Sequence, residues 1–295
     1  MSDPNAPPPG YRPKLLPPPQ FPLRRPALFA RMPPAVFPVL MGALGLGLAL
    51  RRGLAGFGVA SDPAELVLGL AVGLWAFAAL GYLLKLARRP AVLLEDLRVL
   101  PGRAGLAAAS LGLLLVAAAL VPYWPGVARG VLAAGLGLHA ALAALVLRLW
   151  FANPPEAREI TPVWHLHFVG FIIGGLAAAP LGMTGLATAL LWLTLPVALA
   201  IWAASALQLI RRIPPAPLRP LLAIHLAPAS LFATVAASLG YERLADAMLV
   251  LGALIALALL FALRWLTVSG FSALWGAFTF PLAAFCSALF ARGLL

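Results

Sequence analysis

Charge is scarce in this chain, and negative charge scarcest. Only 10% of the 295 residues are Asp, Glu, Lys or Arg, and nine of these are acidic. A soluble domain carries about 25% charged and about 45–50% apolar residues, whereas 63% of this chain is hydrophobic. One soluble core cannot bury that much apolar surface, so lipid must cover the rest. Cysteine is almost missing too. The single Cys286 lies in the last apolar run, can form no disulfide within the chain and reads as a small packing residue. Catalytic signatures are absent: there is no GxSxG, no HExxH and no phosphate-binding loop. No acidic residue stands in the core of any apolar run. His139, His165, His167 and His225 therefore lack the Asp, Glu or Cys that usually completes a metal site. A haem between His139 and His225 finds no support in their spacing. An enzyme is not expected, and neither is a metal or a cofactor.

Long uncharged runs are what the chain has in abundance. Nine approach the roughly 17–25 residues that cross a bilayer: Pro33–Leu50, Leu66–Leu84, Ala104–Tyr123, Gly130–Leu147, Val163–Met183, Gly185–Ile210, Leu221–Leu239, Ala247–Leu263 and Phe271–Ala291. Short connections make residues 27–295 one compact, all-α polytopic membrane domain. Residues 1–26 contain ten prolines and no apolar core of the kind a signal peptide needs, so a flexible, partly polyproline tail is expected there. The net charge of +12 invites a nucleic-acid reading, but its distribution argues against one. With the N-terminus placed in the cytoplasm, sixteen of the 21 basic residues fall on the inner side, and Arg51, Arg52, Arg129, Arg243 and Arg292 fall outside. That is the positive-inside bias, with the basic residues facing anionic membrane lipids. No nucleic-acid partner is expected.

Permeation is the remaining class, and the helix faces bear on it. In LWGAFTFPLAAFCSALF, Phe280 shares a face with Gly276, Ala277, Ala284, Ser287 and Ala288. Similar small or weakly polar stripes run through the seventh span (Ala223, Ala227, Ser230, Thr234, Ser238), the fifth (His167, Gly170, Gly174, Ala177) and the first (Pro38, Gly42, Gly45, Ala49). A weaker one in the third (Ala107, Ser110, Ala117) is broken by Leu114. All five spans are odd-numbered. Such stripes serve either close helix packing or the wall of a pathway. Pro38, Pro228 and Pro281 are expected as kinks. Pro228 and Pro281 free the carbonyls of Ile224 and Ala277, which is tolerated at membrane depth where the carbonyls line a wet cavity. Phe280, roughly 13 Å beyond the start of its span at about 1.5 Å per residue, would plug such a pathway near the midplane.

WGAFTFP at Trp275–Pro281, HLAPAS at His225–Ser230, TPVWHLHFVG at Thr161–Gly170, YLLKL at Tyr82–Leu86 and LEDLR at Leu94–Arg98 together resemble the tellurite-resistance/dicarboxylate transporter family. That family includes the bacterial tellurite-resistance channel and plant guard-cell slow anion channels. The resemblance covers about Pro26 to Phe290. It implies helical hairpins in a pseudo-fivefold arrangement, odd helices around a central pore, a homotrimer in a bacterial inner membrane, and occlusion by the phenylalanine matching Phe280. The anions it implies are tellurite, halide, nitrate, sulfite or C4-dicarboxylates. Three departures stand out. Nine spans are read where the family has ten; the third span has no mid-helix proline; and His167 adds an expected pH-sensitive group near the pore entrance. Two alternatives stay open: a proton-coupled organic-anion carrier and a non-conducting membrane subunit.

Overall fold

The computed structural model describes residues 27–154 and 158–294. The proline-rich stretch 1–26 lies outside the described residues. Among those described, every regular element is helical. Eight helical segments of 19 to 28 residues are long and apolar enough to cross a membrane, and a shorter apolar segment, His165–Ala178, stands between the fourth and fifth of them. Helices extend past the uncharged runs because charged side chains at the interface do not stop them: α1 (Phe37–Gly56) continues through Arg51 and Arg52. α2 (Asp62–Arg88) carries Asp62 and Glu65 in its first turn and Lys85 and Arg88 in its last, complementing the helix dipole at both ends. The short α3 (Val92–Arg98) leads into α4 (Leu100–Leu120) and α5 (Pro125–Ala152).

The fifth span is not a regular α-helix. A π-helical turn (His165–Val169) passes into a 3₁₀ stretch (Gly170–Gly174), and only the short α6 (Gly175–Ala178) is α-helical. α7 (Thr184–Arg211) follows, with Pro196 in its interior. The seventh span changes from a 3₁₀ helix (Ala216–His225) to α8 (Leu226–Ser238). After α9 (Glu242–Phe261) and the short α10 (Leu263–Leu266), a 3₁₀ turn (Ala273–Trp275) opens α11 (Gly276–Ala291). Glycines in the left-handed region make two of the hairpin turns: Gly182 (φ 75°) before α7 and Gly240 (φ 78°) before α9.

Two concentric layers result. The odd spans form a closed inner ring. α1 packs on α4, α4 on the fifth span, the fifth span on α8, α8 on α11, and α11 back on α1. The even spans stand outside, α2 on α1, α5 on α4, α7 on the fifth span and α9 on α8. Burial follows this division. In the third and seventh spans 78% of the apolar core of the helix is buried, against 22–33% in the four even spans. α2 turns Leu66, Leu70, Leu74, Phe77, Leu80 and Leu83 outward, a lipid-facing stripe that explains the composition.

The α1–α11 contact is close enough to require glycine. A Cβ on Gly53 would stand 2.7 Å from the Phe290 ring, and one on Gly42 would overlap Thr279. Ion pairs tie the rim. Arg51 donates from Nε and Nη2 to both Glu65 carboxylate oxygens at 2.6 Å, joining α1 to α2. Lys85 and Tyr82 both reach Asp96 of α3, and Arg89 reaches Glu95. Arg292 donates to Glu242 and Asp246 of α9, and these carboxylates raise its pKa above the usual guanidinium range.

Candidate functional site

Inside the ring of odd spans lies a narrow, partly open cavity with a volume of about 70 Å³ for water-sized solvent. Every odd span contributes to its wall and no even span does. The wall comes from the N-terminal halves of these spans, and in four of the five that half contains 3₁₀ or π backbone. The cause is local. PPAVFP, TPVWHLHFVG and PPAPLRP begin three of these spans with prolines that lack a donor for the α pattern. Only α4 enters the cavity as a plain α-helix, through Pro101, Ala104, Ala108 and Leu111.

The five spans are antiparallel to their even neighbours and so parallel to one another. The most C-terminal lining residues of each therefore mark the deep end of the cavity. They are Met41, Leu111, Ile172 with Ile173, Leu231, and Phe280 with Pro281. Met41, Leu111, Ile172, Leu231 and Phe280 are buried members of one apolar cluster. Phe280 is 6% exposed, and its Cδ2 lies 2.7 Å from where a Cβ on Gly45 would stand. The ring rests directly on the glycine backbone of α1. The collar formed by these side chains is apolar.

Of the residues singled out in the sequence, Pro38, Gly170, Ala227, Pro228, Gly276, Ala277, Phe280 and Pro281 line the cavity. Gly42 and Gly45 turn toward α11, Gly45 under the phenylalanine ring. Gly174 turns away, toward Leu132 and Leu136 of α5 and Leu190 of α7. Ser230 and Thr234 are buried, and their hydroxyls donate to the Leu226 and Ser230 carbonyls of their own helix at 2.9 and 3.0 Å. Ala284 is buried one turn beyond Phe280. Ser287 accepts from Arg52. Ser110 of the third stripe faces outward and meets His139 Nδ1 at 2.8 Å.

The prolines differ from one another. Pro38 lies in the first turn of α1 and Pro228 in the first turn of α8, each just where a 3₁₀ segment passes into the α-helix. Only Pro281 of the three interrupts a helix interior, with no donor for the carbonyl of Ala277 in the cavity wall.

His167, expected at the entrance, stands outside the cavity wall; it is buried and neither ring nitrogen has a partner. His165 takes that place, and its Nε2 lies 3.0 Å from His225 Nδ1. The reason is the π-helical turn, whose i→i+5 pairing stacks residue 165 under Gly170, where an α wheel would place residue 167 nearer.

A closed ring of five helices around an apolar cavity, with an outer lipid-facing layer, is an architecture that fits a membrane permeation protein. The chain belongs to the voltage-dependent anion channel (SLAC1) family, whose model matches residues 31–293. This agrees with the resemblance carried by WGAFTFP and its companion motifs, and it makes the protein one of a family of anion channels and transporters. No curated protein matches the chain.

Proposed function

We propose that the protein passes small anions through the axis of its own helical ring, with Phe280 as the gate. The observation that carries this reading is the position of the Phe280 ring. It stands among the most C-terminal lining residues of a cavity walled by all five odd spans, in one apolar cluster with Met41, Leu111, Ile172 and Leu231. The N-terminal mouth of the cavity lies on the cytoplasmic side of a bacterial inner membrane, as the distribution of basic residues supports. Trimeric assembly is part of the reading and rests on the family resemblance alone.

The lining offers no Lys, Arg, Asp or Glu, and His165 is its one ionisable side chain. Selectivity among tellurite, halides, nitrate, sulfite and C4-dicarboxylates then follows the cost of dehydration. A permeability series that ranked poorly hydrated anions last would contradict this. The primary test is anion current in planar bilayers, comparing the natural protein with Phe280→Ala. A large rise in current, without an imposed proton gradient, is the expected result; a folded Phe280→Ala that stays silent refutes the gate. A proton-coupled carrier is the second reading, favoured only by the His165–His225 pair beside the cavity. It requires anion flux that collapses when the proton gradient is removed.

A further inference from the structure

The cavity wall carries no positive charge, but the same helix faces do carry one beyond the gate. Arg52 lies eleven residues after Met41, a rotation of about 20° on an α-helix, so it continues the face of α1 that lines the cavity. Ser287 lies seven residues after Phe280, within about 20° of it on α11. The two meet: Arg52 Nη1 donates to the Ser287 hydroxyl at 2.7 Å and to its carbonyl at 3.3 Å. Seven residues correspond to roughly 10 Å, so this contact stands about 10 Å past the Phe280 ring, on the side away from the cavity. At the same height the other parallel helices present small or hydroxyl side chains, Ala118 on α4 and Ser238 on α8, each seven residues past a collar residue.

Arg129 and Arg243 on that side also have no carboxylate partner among the described residues but stand on the outer helices α5 and α9; Arg52 stands on the inner ring and differs there from Arg51 and Arg292. Arg51 is committed to Glu65, and Arg292 to Glu242 and Asp246. Arg52 is half-buried and has no carboxylate partner among the described residues; its Nε and Nη2 make no hydrogen bond there. Glu65 of α2 has both oxygens held by Arg51. A half-buried guanidinium with unused fork donors is a receptor for a small oxyanion or halide.

We propose that Arg52 and the Ser287 hydroxyl form an anion-binding site on the far side of the gate, taking small inorganic anions such as nitrate or halide. The site rests on the permeation reading and adds to it a source of charge preference that the cavity lacks. A unit charge about 5 Å from a passing anion raises its local concentration roughly fourfold even in a water-like dielectric, and less as salt screens it.

Two measurements test it independently. In thermal denaturation of the purified protein, sodium nitrate against sodium gluconate at equal ionic strength should raise the midpoint of the natural protein and of Phe280→Ala, but not of Arg52→Gln. Ser287→Asp, which supplies a carboxylate to Arg52 and leaves no buried charge unpaired, should lose the nitrate shift in the same way. Equal shifts in the natural protein and these variants overturn the site. In bilayers, Phe280→Ala/Arg52→Gln should pass about fourfold less anion current than Phe280→Ala at low salt and converge with it at high salt. Identical current–concentration curves overturn the site while leaving the gate intact. If Phe280→Ala conducts nothing, the gate reading fails, and the nitrate shift still decides the site.

Discussion

Gly45→Ala tests the proposed Phe280 gate, because it leaves the phenylalanine in place and removes only the space it occupies. A Cβ on Gly45 would stand 2.7 Å from Phe280 Cδ2, 3.1 Å from Cε2 and 3.4 Å from the Ala283 Cβ. The first of these distances is well inside van der Waals contact, so the ring or the helix must move. Overpacking of this kind costs about 1–3 kcal/mol. If the whole penalty falls on the closed position of the ring, the closed-to-open ratio falls by about 5- to 150-fold. Anion current through single bilayers should rise by a factor in that range, without reaching Phe280→Ala, where the ring is gone. In the double variant the methyl has no ring to meet, so its effect on current should vanish. Gly42→Ala is the contrasting case. Its Cβ would overlap Thr279 and lie 3.2 Å from the Phe280 backbone nitrogen, so it forces α1 and α11 apart and should lower stability more than it raises current. A folded Gly45→Ala with current no higher than the natural protein, beside a conducting Phe280→Ala, would refute the idea that α1 seats the ring.

Two further outcomes follow from contacts away from the gate. Glu65→Ala strips Arg51 of both charge-assisted bonds in a pair only about one-fifth exposed, and should lower unfolding free energy by about 1–3 kcal/mol, read as a lower denaturation midpoint. Ser110→Ala removes the partner of His139 Nδ1, a fully buried ring. It should cost about 1–3 kcal/mol while leaving the current of a Phe280→Ala background unchanged, since Ser110 faces away from the cavity.

The amino-acid sequence was enough for the class, the number of apolar segments and their division into two kinds. Hydropathy is a sum over neighbouring residues, so runs such as Leu66–Leu84 announce themselves without tertiary information. Small-residue stripes were read on the odd spans that form the inner ring, and Gly42 and Gly45 of the first stripe are places where α1 approaches α11; Gly53, a third such place, lay outside that stripe. The motif WGAFTFP and its companions pointed to the family.

Rotational phase was a different matter. An α wheel drawn through TPVWHLHFVG faces His167 to the cavity, and the π turn brings His165 there instead. The same wheel took Ser230 and Thr234 as polar wall, where the structure ties both hydroxyls to their own helix. Met41, Leu111, Ile172 and Leu231 carried no signal at all, because a bulky apolar residue in a membrane helix looks alike whether it meets lipid, a neighbour or the axis. Arg52 was visible only as an outer charge. Its convergence on Ser287, 235 positions away, comes from the parallel packing of the first and last spans. Hydrophobicity acts residue by residue along the chain. Which side chains share an axis depends on backbone hydrogen-bond register and on five helices closing a ring, and only the folded protein decides that.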